Sequence, residues 1–217
     1  MNSLKQVFFL TILVFFITSC NKNNLEATYE ITPEEQQYIP FTGGEKVVYI
    51  NSGSAAELVL TATPMINKLL ESPSGVNTNK YFRYETSQLV LSGSGIDLEY
   101  NLSAIHKKYH DKTKLVLYWQ TGIEDFPALI IGGFDVPIDS ADRFYKLVFY
   151  DSLMVHQHLY QDVYRGDFRL SYSPGDTTPV PVGSVFPVNF YFSLPTGIIK
   201  FDLSDSTSWE LDRIEKK

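Results

Sequence analysis

Strict alternation of apolar and polar residues near the C-terminus limits this chain more than any other feature of its sequence. Val188, Phe190, Phe192 and Leu194 are interleaved with Asn189, Tyr191 and Ser193. After Pro195-Thr196-Gly197 the pattern resumes, with Ile199, Phe201 and Leu203 set around Lys200 and Asp202. Trp209 and Leu211 carry it past Asp205-Ser206. A period of two puts successive side chains on opposite faces of a strand, so these residues predict three consecutive antiparallel strands with one apolar face.

The same reading extends through most of the chain. Gln88 to Leu91, the connection Ser92-Gly93-Ser94-Gly95, and Ile96 to Leu102 predict a hairpin, with Ile96, Leu98, Tyr100 and Leu102 on one face and Asp97, Glu99 and Asn101 on the other. Further strands are expected near residues 45–50, 57–63, 80–85, 114–120, 127–131, 143–150, 154–158 and 167–172, where aromatic and branched residues run between turn formers. So many short strands predict an all-β, antiparallel meander closed into a barrel or bent into a strongly curved sheet, with a β-sandwich as the alternative. The barrel or strongly curved sheet comes first, since closure removes exposed edges.

Two short helices are expected. Thr32-Pro33-Glu34-Glu35 combines an N-cap hydroxyl, a first-turn proline and a carboxylate at the third position, and predicts a helix to about Tyr38. Residues 65–71, between Pro64 and Pro73, are a weaker helical candidate. Residues 173–187 hold four prolines and two glycines and read as a long surface loop. Too little chain follows for a second domain, so residues 27–217 are expected to form one β-rich domain.

The first twenty residues concern address. A short polar stretch with one cation, Lys5, precedes an apolar run from Val7 to Ile17 interrupted only by Thr11. About eleven helical residues span roughly half of a hydrocarbon core of about 30 Å, which suits a signal peptide over residues 1–19 and not a spanning helix. Ile17-Thr18-Ser19-Cys20 resembles the lipobox of bacterial lipoproteins, and Cys20 is the only cysteine of the chain. That resemblance implies cleavage before Cys20, acylation of its thiol by palmitate or a related fatty acid, and a membrane attached through the lipid. Removing nineteen residues from 217 leaves 198, and losing Lys5 moves the formal charge from −7 to −8. A mildly acidic body with no cationic cluster argues against a nucleic-acid partner. Residues 20–26 are expected to be a lipidated tether.

Leu159-Tyr160-Gln161-Asp162-Val163-Tyr164 resembles the Tyr-x-x-Val-Tyr strand of small uncharacterised envelope lipoproteins of the Bacteroidota type. Phe190-Tyr191-Phe192, Gly197-Ile198-Ile199-Lys200-Phe201 and Trp209-Glu210-Leu211 resemble their closing hairpin. The resemblance implies a fold and an address, an outer-membrane lipoprotein, and carries no activity. In such proteins an acidic run after the cysteine marks surface export. Here only Glu26 follows, which favours the periplasmic face and leaves the cell surface open.

Candidate chemistry is sparse. His156 and His158, two apart, would share a face of a strand and are weak metal-ligand candidates, and His106 and His110 would share a helix face. Glu34-Glu35 and Glu124-Asp125 are adjacent, which turns their carboxylates apart and does not suit acid/base work. No nucleophile motif is present, so no catalytic residue and no cofactor are expected. Phe190, Phe192, Phe201, Tyr100 and Trp209 could line a cavity for a hydrophobic small molecule, although such a stripe is more often core. Ser140, Ser152, Thr177 and Ser206 each follow an aspartate in a pattern that resembles the O-glycosylation signal of Bacteroidota envelope proteins, while Asp-Ser and Asp-Thr are also ordinary turn formers. The expected function is a non-catalytic binding or structural role in the envelope, with an envelope protein or glycan as partner. The alternative is a carrier with a ligand cavity.

Overall fold

The structure is a computed structural model that describes residues 24–76, 78–110, 113–121, 124–132, 148–167, 185, 187–194 and 196–216. Its strands are β1 (Asn24–Tyr29), β2 (Lys46–Asn51), β3 (Glu57–Ala62), β4 (Ile66–Pro73), β5 (Lys80–Gly93), β6 (Ile96–Ser103), β7 (Lys114–Thr121) and β8 (Glu124–Gly132). They continue with β9 (Val148–Val155), β10 (His158–Asp167), β11 (Pro187–Ser193), β12 (Gly197–Leu203) and β13 (Ser208–Glu215). A helical turn α1 (Pro33–Gln36) follows β1, and a 3₁₀ turn (Ala104–His106) leads into α2 (Lys107–His110).

All thirteen strands belong to one sheet, ordered β8-β7-β6-β5-β3-β2-β13-β12-β11-β10-β9, with β1 and β4 attached to β5. The expected meander is present as β11-β12-β13, and the expected hairpin as β5-β6. The two-residue turn of that hairpin is Ser94-Gly95, both at positive φ, which fits the right-handed twist of the flanking strands. Every pairing is antiparallel except β1 with β5.

Trp119 of β7 and Phe201 of β12 pack edge-to-face with ring centroids 5.1 Å apart. In the sheet order these strands lie six spacings apart, about 29 Å if the sheet were flat at roughly 4.8 Å per strand. The sheet is therefore strongly curved and folds over its own inner face. It is not closed: β8 and β9 stand at the two ends of the order. Of the barrel or strongly curved sheet expected, the strongly curved sheet is the form present.

The core lies in that fold. Val47 and Tyr49 of β2, Leu58 and Leu60 of β3, and Leu89 and Leu91 of β5 alternate inward, as do Leu98, Tyr100 and Leu102 of β6. Leu115, Leu117 and Trp119 of β7 meet Phe190, Phe192 and Phe201 from the opposite wall. Phe41, from the segment before β2, packs edge-on against Tyr100 at 5.7 Å.

Strand β5 joins two neighbourhoods. Its first half lies between β4, antiparallel from Ile66↔Gln88 to Pro73↔Tyr81, and β1, parallel from Asn24↔Lys80 to Tyr29↔Tyr84. Its second half pairs with β6 and, through Thr61↔Ser92 and Ala62↔Leu91, with β3. The strands expected at 80–85 and 88–91 are thus one continuous strand.

Two further corrections belong to this wing. Residues 65–71 are not a helix: residues 66–73 form β4. Eight residues between two prolines are too few for a helix to stand alone, whereas as a strand all eight residues of β4 pair with β5. In addition, β1 begins at Asn24, so the last three residues of the expected tether lie in strand, with Asn24 and Leu25 paired to Lys80 and Tyr81 and Glu26 at a register shift.

The expected first helix is present, though brief. The Thr32 hydroxyl accepts from the Glu35 amide at 3.3 Å while the Glu35 carboxylate accepts from the Thr32 amide at 2.8 Å, a reciprocal capping box. Lys107 Nζ then holds Glu35 at 2.7 Å, which pins α1 to the turn after β6.

The turn into β2 carries a pH-dependent contribution to stability. Partial burial of the Glu45 carboxyl opposes its ionisation, but the Thr42 hydroxyl at 2.7 Å and the amides of Thr42 at 2.9 Å and Gly43 at 2.7 Å outweigh this and bring its pKa from 4.5 down to about 2. A depressed carboxyl stabilises the fold above its unfolded pKa, and that contribution disappears as pH falls from 4.5 towards 2. Glu45→Gln should lose about 1 kcal/mol at pH 7 after allowance for solvent screening, and match the parent at pH 2. Urea titrations at both pH values measure this; an equal deficit at pH 2 would contradict it.

Candidate functional site

The histidine pair is not assembled as expected. Strand β9 ends at Val155, and His156 and Gln157, at φ +43° and +67°, form the two-residue turn into β10. His156 and His158 therefore do not alternate along one strand. His156 Nε2 meets Asp212 Oδ1 of β13 at 3.2 Å, while the exposed His158 ring lies beside Tyr160 at 6.4 Å. Asp212 sits where the register of β13 against β2 shifts, so the β9-β10 turn is fastened to a bulge on a strand four places away in the sheet. Burial, followed by the Asp212 charge, raises the Tyr160 phenol. Among the described residues no three His, Cys, Asp or Glu side chains converge as a metal site would need.

The backbone of His106 falls in the 3₁₀ turn and that of His110 at the end of α2; their side chains lie outside the described residues. Glu35 is engaged by the capping box and Lys107. Burial opposes its ionisation, but Lys107, the Thr32 amide and Thr113 hold its carboxyl below the ordinary range. Glu124 and Asp125 are consecutive residues of β8, and their side chains lie outside the described residues.

Of the aromatic stripe, Phe190, Phe192, Phe201 and Tyr100 retain no accessible surface. A void large enough for water beside any of these rings would leave some. Trp209 is half-buried and packs against the same cluster, opposite Phe201 in the register. The buried phenols are satisfied by protein: Tyr49 Oη donates to the Ile198 carbonyl at 2.9 Å, and Tyr100 Oη accepts from the Ile198 amide at 3.2 Å. Burial drives both hydroxyls far above their usual range, so they stay neutral.

Ser152 is exposed on β9 opposite Gln161. Ser206 is exposed at φ +68° in the β12-β13 turn, where the Asp205 carboxylate accepts from the Thr207 amide at 2.9 Å and hydroxyl at 2.6 Å. There Asp205 has the role of a turn former. Cys20, Ser140 and Thr177 lie outside the described residues.

The largest organised polar arrangement among the described residues was not expected as a unit. On the outer face, Arg165, Tyr191, Lys200 and Glu210 stand side by side across β10, β11, β12 and β13. The Arg165 guanidinium lies 6.0 Å and the Lys200 ammonium 5.7 Å from the Tyr191 ring centroid, and Lys200 pairs with Glu210 at 3.1 Å. One register step away, Arg165 Nη2 donates to Asn189 Oδ1 at 3.1 Å, Asn189 Nδ2 to Asp202 Oδ2 at 3.2 Å, and Ser208 Oγ to Asp202 Oδ1 at 2.7 Å. Burial, then Asp202, raises the Tyr191 phenol despite the two cations.

Asn189, Tyr191, Lys200 and Asp202 are polar positions of the C-terminal alternation, opposite the core; strand register brings them together and adds Arg165, Ser208 and Glu210. Chemically the row offers fixed donors and acceptors around an aromatic ring; its charges are compensated, and it holds no activated nucleophile. No protein-family model matches the chain, and comparison with curated proteins and with solved structures gives no match.

Proposed function

We propose that the chain is an exported protein of the bacterial outer membrane, anchored by lipid on Cys20, whose β domain acts by binding and not by catalysis. The observation that carries this reading is the leader: one cation, an apolar run too short to span, and a sole cysteine directly after Ile17-Thr18-Ser19. The complete burial of Phe190, Phe192, Phe201 and Tyr100 among the described residues favours recognition on the exterior over transport of a ligand inside. The row around Tyr191 is a hydrogen-bonded polar arrangement on the outer face, suited to an envelope protein or glycan through hydroxyl and amide contacts.

Growing cells that express the chain in labelled palmitate should yield a labelled protein in the membrane fraction. Cys20→Ala should lose the label entirely and leave the chain unanchored. Absence of label on the parent chain, or its recovery full-length in the cytosol, would rule the reading out.

A further inference from the structure

The wing formed by β1, β4 and the first half of β5 is where the lipid would enter the fold. The Asn24 amide donates to the Asn79 carbonyl at 3.0 Å and Asn24 pairs with Lys80, so the N-terminal end of β1 lies against the turn between β4 and β5. Four peptide steps separate Cys20 from Asn24, and four residues reach at most about 14 Å when fully extended. On the reading that Cys20 is acylated, the end of β1 that lies against this turn stands within that reach of the acylated residue.

The same end presents the apolar surface that a bilayer would cover. Val76, in the turn, is 92% exposed, and Leu25, at the start of β1, is 45% exposed. Ile66, Leu69 and Leu70 of β4 are exposed as well, so the wing holds five of the eleven large apolar side chains exposed among the described residues. Charge agrees with this placement. Residues 24–29, 66–73 and 80–86 carry Lys68, Lys80 and Arg83 against Glu26, Glu71 and Glu85, a net charge of zero in a chain of net −7. A wing without net charge in an acidic protein is not repelled by anionic headgroups.

We infer that the β4-β5 turn, led by Val76 with Leu25 beside it, seats in the interface of the bilayer that holds the Cys20 lipid, so that the body of the domain faces away. This rests on the lipidation reading, and the test separates the two. Because the one natural cysteine carries the lipid, a cysteine introduced elsewhere is the single free thiol of the mature protein. Lipidated Val76→Cys, Leu25→Cys and Phe149→Cys chains, each bearing an environment-sensitive fluorophore, are placed in vesicles of phosphatidylethanolamine and phosphatidylglycerol that contain a nitroxide-quencher lipid.

Emission from positions 76 and 25 should move to shorter wavelength and be quenched, while position 149, half-exposed on β9, should keep its water-like spectrum. Equal or stronger quenching at 149, or none at 76, in protein whose mass includes the acyl chains overturns the orientation and leaves lipidation standing. Crosslinking between labels at position 76 without quenching would assign the wing to a second copy and likewise overturn it. A mass without acyl chains removes both readings.

Discussion

Phe201→Ala should lower the unfolding free energy by about 3–5 kcal/mol, a large share of the roughly 5–15 kcal/mol typical of a whole domain. Phe201 is fully buried on β12, and its ring contacts Trp119 of β7 and Tyr49 of β2, each at a centroid distance of 5.1 Å. It is the point at which the two walls of the curled sheet meet. Removing the ring leaves a void that neither neighbour can fill by rotation, since both are themselves enclosed. Urea unfolding measures the loss, and the near-ultraviolet circular dichroism of Trp119 should weaken with it. Phe149→Ala, at a half-exposed position, should stay within about 0.5 kcal/mol of the parent. If Phe201→Ala is equally mild, β7 does not pack over β12 and the curvature described above is wrong.

That contact illustrates what the sequence makes legible and what it hides. Period-two alternation put Phe190, Phe192 and Phe201 on an apolar face, and Asn189, Tyr191, Lys200 and Asp202 on the other, because pleating is a local property of the backbone. Which residues face each other across strands is set by register and curvature, so the Trp119–Phe201 contact and the Arg165–Tyr191–Lys200 row were invisible in it. The capping box at Thr32 was legible because every atom involved lies within four residues. Residues 65–71 misled for the opposite reason: their local preference is indifferent, and the free edge of β5 decides their conformation. The histidines failed on a single feature, since nothing in Val155-His156-Gln157-His158 resembles the Asn-Gly that usually marks a two-residue turn. Here the left-handed backbone of His156 coincides with its contact to Asp212, a partner 56 residues along the chain that no local rule supplies.

Gly93→Ala should cost about 1–3 kcal/mol or more, despite adding one methyl group. Its effect comes from the seam between the two neighbourhoods of the sheet. Strands β3 and β5 pair only at Thr61↔Ser92 and Ala62↔Leu91, extended by the Thr63 amide to the Val90 carbonyl at 2.8 Å. A Cβ on Gly93 would fall 2.3 Å from the Val59 carbonyl oxygen and 3.3 Å from its carbon. The obstacle is backbone, so no rotamer relieves it, and β3 must move away from the strand that ties it to the wing. Gly95, two residues on, provides the contrast: it adopts φ +76° with nothing within 4 Å of an added Cβ. There the restriction is conformational and not spatial, so Gly95→Asn, which tolerates a left-handed backbone, should be nearly neutral, whereas Gly93→Asn should be at least as damaging as Gly93→Ala. Urea midpoints for the four chains decide the matter: a Gly93→Ala midpoint equal to that of the parent would mean that β3 and β5 do not approach as closely as this seam requires.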